Sequence, residues 1–131
     1  MNANMCGTSG SAVFNFCKTT PENQLVHIQQ CNPIVQPVPS GPLPYFTNTT
    51  SLVINGSFTV VNTSSTTSMT LVFVDGTLAT NVIIAPGRSV TYFFEDLKSI
   101  TIEAMADSTP GAACTGNLLL DLHYCVECPN Y

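Results

Sequence analysis

Charge is what this sequence has least of. Of its 131 residues only 8% are Asp, Glu, Lys or Arg, against roughly a quarter in an ordinary soluble domain. The cations are Lys18, Arg88 and Lys98, and they are not clustered. A nucleic-acid partner needs grouped Lys and Arg to neutralise phosphate, so that class is excluded. Charge also keeps monomers soluble and apart. Its scarcity predicts a chain that covers much of its surface with copies of itself. Long apolar runs are absent too: none approaches the roughly 20 residues of a helical membrane span, so no membrane partner is expected. The opening Met1-Asn2-Ala3-Asn4-Met5 has neither a basic region nor an apolar core, which predicts no secretory signal. Sustained helical periodicity is missing as well, and good helix formers are scarce.

What the chain does have is cysteine and alternation. Six cysteines in 131 residues, with no signal, pose a conflict, because cytosolic chains rarely keep disulfides. Either they are thiols or metal ligands, or the protein matures outside the reducing cytosol by a route that needs no signal, such as assembly on a particle later released by lysis.

The alternation lies between Ser57 and Met105. Phe58 and Val60, then Met69, Leu71 and Phe73, then Val82 and Ile84, then Val90, Tyr92 and Phe94, then Ile100 and Ile102 recur every second position. A period of two puts one set on each face of a sheet, and these residue types fit a pleated surface. Asp75-Gly76 predicts a hairpin, because a tight primed turn needs positive φ. Pro86-Gly87 and Glu95-Asp96 mark two further turns.

Around this block, residues 1–30 read as a flexible N-terminal arm with Gly7, Ser9, Gly10 and Ser11. The arm carries Cys6 and Cys17, and Val13, Phe14 and Phe16 form an apolar patch suited to docking on a neighbouring subunit. Within it, residues 25–28 suggest a short strand leading into the body. The proline-punctuated run from Cys31 to Ser40 is at best an edge strand. Residues 41–44 read as a loop, residues 51–54 as a short strand ended by Asn55-Gly56, and residues 107–116 as a loop. Leu118, Leu120, Leu122 and Tyr124 alternate with Asp121 and His123 in the last strand. About eight strands and no helix predict an all-β, eight-stranded jelly-roll sandwich. The expected divisions are the arm (1–30), the jelly roll (31–124) and a cysteine-containing tail (125–131).

Catalytic, cofactor and metal chemistry find little support, and no enzyme is expected. Cys125-x-x-Cys128 lacks the second pair or the two spaced histidines of a zinc site, and Pro129 follows where a redox motif wants a helix. A disulfide, within the pair or to a partner chain, is the better reading. His27 and His123 are far apart in sequence, and His123 reads as a surface or interface histidine. Glu95-Asp96 reads as a solvated turn, and Asp75-Gly76 lacks the alternating ligands of a calcium loop. Asn48, Asn55 and Asn62 head glycosylation sequons that arise easily in so Asn- and Thr-rich a chain, and they are not read as glycan sites.

One resemblance covers about three quarters of the chain. The cysteine-bearing N-terminus, Cys31-Asn32-Pro33, Phe58-Thr59-Val60-Val61-Asn62, Met69-Thr70-Leu71-Val72-Phe73, Val82-Ile83-Ile84-Ala85-Pro86-Gly87-Arg88-Ser89, Phe93-Phe94, Ser99-Ile100-Thr101-Ile102-Glu103 and the run from Gly116 to Tyr124 resemble the endospore appendage (Ena) proteins, fibre subunits of endospore-forming bacteria. The resemblance implies eight-stranded jelly rolls joined edge to edge, with the arm reaching other subunits and locking to them by disulfides. It implies Cys6 and Cys17 as donors and Cys31 as one acceptor. Where the family often has a cysteine in the last strand, this chain has Leu119. Cys114, Cys125 or Cys128 then takes the other acceptor role, or Cys125 and Cys128 pair locally. The longer arm points to stacked rings rather than a helical fibre.

The expected function is therefore a structural subunit of disulfide-cross-linked, pilus-like appendages on the endospore surface. Its main partner is itself, with other spore-surface proteins as further candidates. The alternative is a carbohydrate- or receptor-binding jelly roll of a surface or phage particle, for which Tyr45-Phe46 is the best patch. A cupin-like enzyme would need clustered histidines.

Overall fold

Alternation of apolar with Thr, Ser and Asn leaves each segment one face to bury, and a pair of sheets stacked face to face satisfies all of them at once. In a computed structural model of the chain, residues 23–38, 40–105 and 113–127 are described. They form β1 (Asn23–Pro37), β2 (Leu43–Thr47), β3 (Ile54–Asn62), β4 (Met69–Asp75), β5 (Leu78–Ile84), β6 (Ser89–Phe94), β7 (Leu97–Ala104) and β8 (Ala113–Glu127). One sheet has the order β1-β8-β3-β6 and the other β2-β7-β4-β5. Every pairing is antiparallel. Two interleaved four-stranded sheets of this order make a jelly roll. The expected fold class and the absence of helix hold among the described residues.

Each strand buries one parity of its residues. Phe58, Val60, Met69, Leu71, Ile84, Leu97, Ile100, Ile102, Leu118 and Leu120 fill the space between the sheets. Each such side chain contributes on the order of 1.5–3 kcal/mol relative to exposure. Phe58 stands at the centre: its ring meets Phe73 edge-on at 5.0 Å and lies 6.0 Å from Phe94.

Two buried amides close the open ends of the sandwich. Asn62 Nδ2 donates to the carbonyls of Thr67 and Ile84 at 2.8 and 2.9 Å, and Asn62 Oδ1 accepts from the Ser64 amide at 3.0 Å. One side chain thus ties the end of β3 to the end of β5 in the opposite sheet. Gln36 Nε2 donates to the Ile102 carbonyl at 3.1 Å and to the Tyr45 hydroxyl at 2.8 Å, and Ser40 Oγ donates to Gln36 Oε1 at 2.8 Å. A fully satisfied amide offsets its own desolvation, which is why both are tolerated inside.

Several boundaries differ from the sequence reading. β1 begins at Asn23 and pairs with β8 over its whole length, so the sheet takes in residues 23–30, which the sequence assigned to the arm. The predicted short strand and the proline-punctuated run are one strand, and it is an edge, as its prolines require. β8 runs on to Glu127, past the boundary expected at 124. β2 occupies part of the expected 41–44 loop, and β3 starts where a strand end was expected and passes straight through Asn55-Gly56. Among the described residues only Asp75-Gly76 makes a hairpin inside one sheet, with Asp75 opposite Leu78 and Gly76 at φ 64°. The Pro86-Gly87 and Glu95-Asp96 turns carry the chain from one sheet to the other. The Asp75 carboxylate accepts from the Asp96 amide at 2.8 Å and so joins the hairpin to the second crossover.

Candidate functional site

In β8 the residues that face the core are Cys114, Gly116, Leu118, Leu120 and Leu122. In β1 they include Ile34 and Gln36. The other parity of both strands makes the outer face of this sheet. Cys31, Cys125, His27, Asp121 and His123 all have that parity, so one face collects the residues that carry chemistry.

Cys31 and Cys125 are both disulfide-bonded. They are not bonded to each other. Cys31 lies opposite Leu119, and Cys125 lies opposite Leu25, so they are about 20 Å apart along a ladder that rises roughly 3.4 Å per residue. Bridged cysteines have Cα atoms within about 7 Å. Of the other expected site residues, Cys6, Cys17, Cys128, Val13, Phe14 and Phe16 lie outside the described residues.

Cys114 is the exception among the candidate acceptors. Its parity points it inward, it is fully buried, and it is a free thiol. A bond from this thiol to another chain would have to reach it inside the core. Burial pushes its thiol pKa up, with a hydrogen bond to Ser64 opposing. Above the ordinary thiol range the unfolded chain ionises this group while the folded chain does not. The stability it contributes is whole below that range and falls as pH rises towards the raised value. Peptide mapping after alkylation at about pH 8 is expected to leave Cys114 unmodified in the folded chain and modified once the chain is unfolded. Prompt labelling of the folded chain would contradict its burial.

The two histidines expected to be unrelated are brought face to face. His27 and His123 are direct partners in the β1–β8 pairing, and their rings stack at 4.3 Å, 3° from parallel. Asp121 Oδ1 lies 2.5 Å from His27 Nε2 and 4.0 Å from His123 Nδ1. The sequence reading put His123 at the surface or an interface. Its side chain is 1% exposed, although it has the outward parity. Burial lowers its pKa, the neighbouring His27 lowers it further, and Asp121 opposes both. The pairing of β1 with β8 is what unites these residues. The i, i+2 spacing of Asp121 and His123 was visible in the sequence, but the identity of the strand opposite was not.

The sheet edges form the other candidate surface. β1 and β6 are the edges of one sheet, and β2 and β5 of the other. Leu78 and Ile83 on β5 and Phe93 on β6 are exposed, as are Val35 on β1 and Leu43 on β2. None of these four strands carries Lys or Arg, the residues that commonly blunt an edge. Tyr45-Phe46 is not a projecting aromatic patch: both rings pack on the core, and the Tyr45 hydroxyl is taken up by Gln36. Asn62, which heads one sequon, is fully buried.

No curated protein matches the chain. A solved structure from a study describing Bacillus endospore appendages as a novel family of disulfide-linked pili shares its fold, with a TM-score of 0.62 and 20% identity over 86% of this chain and 96% of that one. The family model for endospore appendages matches residues 14–126. That match spans both sheets, the free edges and the outward-facing cysteines. The chain belongs to the endospore appendage family, which places it on the spore surface as an appendage subunit.

Proposed function

We propose that the chain polymerises into a disulfide-cross-linked, pilus-like fibre by pairing its free sheet edges with those of its copies. The observation that carries this reading is the pair of open, cation-free edges on each side of the sandwich, each side showing apolar side chains to solvent. Edge strands present unpaired N–H and C=O groups, and pairing with a second copy satisfies them. The β5/β6 side of one subunit differs from the β1/β2 side it would meet, so the contact is head-to-tail, and it continues into a ring or a fibre according to whether its rotation closes. Stacked rings bridged by arms are the form we favour, with Cys6 and Cys17 both ahead of β1 in the chain.

In this scheme residues 1–22 carry Cys6 and Cys17 to a neighbouring subunit, with Val13, Phe14 and Phe16 as the docking anchors. Cys31 and Cys125 are the acceptors, since both lie on the outer face, and Cys128 is the remaining alternative. A single chain already holds Cys31 and Cys125 in disulfides. Exchanging those bonds for the equivalent ones between copies needs no new chemistry, as in domain swapping. The subunit is structural and needs no cofactor for this role.

Electron microscopy of the purified chain tests the edge pairing. The unmodified protein is expected to show rings or fibres, and an Ile83→Lys/Phe93→Lys variant is expected to remain unassembled, because two cations on the β5/β6 side are costly to desolvate against an apolar edge that offers no carboxylate in return. An unmodified chain that stays monomeric, or a variant that polymerises normally, removes the edges from the account.

A further inference from the structure

We propose that His27, His123 and Asp121 bind one first-row divalent transition-metal ion, of which zinc is the type, on the outer face of the β1–β8 pair. One ligand atom from each of the three lies within 4.8 Å of the others. Two imidazoles and a carboxylate form a donor set suited to zinc and its neighbours rather than to calcium or magnesium.

The Asp121 carboxylate gives an independent reason. Its side chain is only 13% exposed, and Oδ2 is buried with no hydrogen-bond partner. A carboxylate removed from water calls for a cation. Neither cation among the described residues is placed to supply one: Lys98 pairs with Asp96 at 3.2 Å, and Arg88 lies in the β5–β6 turn, where its amide donates to Ala85. A proton held between His27 and Asp121 satisfies one carboxylate oxygen and leaves the other bare. A second orphan oxygen stands on the next strand. Asn55 Oδ1 is buried without a partner, on the residue directly opposite His123 across the β3–β8 pairing.

The stacked rings point their nitrogens side by side rather than at a common point, so binding turns one ring. His27 is the one free to turn, because its side chain is 34% exposed and it stands on an edge strand. The ion then takes the place of the hydrogen between His27 Nε2 and Asp121 Oδ1. Its effect is to clip the edge strand β1 to β8 two residue pairs from Cys125.

The test uses tag-free, full-length chain with its disulfides intact, titrated with Zn2+ by calorimetry and with Co2+ by visible absorption. The expected result is one saturable site per chain and a Co2+ spectrum with no thiolate charge-transfer band. His27→Ala, at a half-exposed position, is expected to keep the fold and to weaken binding at least about tenfold, and Asp121→Asn to do the same. Cys114→Ser, which removes the one free thiol among the described residues, is expected to leave binding unchanged. The absence of saturable uptake, affinity undiminished in His27→Ala, or a thiolate band lost with Cys114 each overturns the proposal. Polymer formation is not read in this experiment, so its outcome is separate from that of the edge-pairing test.

Discussion

Fibres assembled from a Cys31→Ala/Cys125→Ala variant are expected to fall to monomer when boiled in detergent without reductant, while unmodified fibres stay at the top of the gel until reductant is added. The reasoning separates two energies. Edge pairing and apolar contact are reversible and yield to heat and detergent. A disulfide adds only about 2–4 kcal/mol to a folding equilibrium, but between chains it can be broken only by reduction or thiol exchange, so it sets durability rather than affinity. The double variant should therefore still form fibres under the microscope and lose only their resistance. Cys114→Ser should change neither property, because that thiol is buried and unbonded. A double variant as durable as the unmodified fibre would show that these two sulfurs hold no neighbour, and the cross-linking scheme would fail while the fold and the family membership stood.

The second large effect is expected from a single methyl group on either of two glycines. A Cβ on Gly56 would sit 2.0 Å from the Asp121 carbonyl oxygen, and one on Gly116 would sit 2.2 Å from that of Val61. Both obstacles are backbone atoms of the β3–β8 pairing at the middle of the sheet, so no side chain can swing aside. Gly56 also has a φ of 147°, which a side chain rarely adopts. Relief means separating the two strands, and the loss involves both pairing and core. Gly56→Ala and Gly116→Ala are each expected to cost at least about 3 kcal/mol, measured by denaturant unfolding of the unassembled chain. Gly41→Ala is the control. Nothing lies within 4 Å of its Cβ position, and a loss of at most about 0.5 kcal/mol is expected there. Equal losses at all three sites would mean that loss of glycine itself, rather than the close approach of β3 and β8, sets the cost.

Those glycines show where sequence reasoning runs out. Asn55-Gly56 looks like turn chemistry, and a strand end was the natural reading. In the fold the same glycine is a strand residue whose missing side chain lets a neighbouring carbonyl approach. Nothing within ten residues of Gly56 announces that carbonyl, because it belongs to Asp121. The cysteines divide differently. The core parity of β8 is written in Leu118, Leu120 and Leu122, and carried back in step it reaches Cys114, and carried forward out of step it reaches Cys125. The buried thiol and the outer-face one were thus legible in principle, as was the edge character of the strand that carries Cys31, whereas its place opposite Leu119 was not.

The sequence by itself determined that this is an all-β chain of about eight strands with one hairpin at Asp75-Gly76, too poorly charged to remain comfortably alone. Those properties follow from neighbours in the chain: a side-chain period of two, glycine at positive φ, and composition. Tertiary structure alone decided that β1 lies on β8, and with it the His27–Asp121–His123 cluster, the place of Cys31 opposite Leu119 and the edge positions of β2, β5 and β6. Strand order is settled by which whole faces can be buried together, a sum over residues nearly a hundred positions apart. No local stretch of the chain carries that sum.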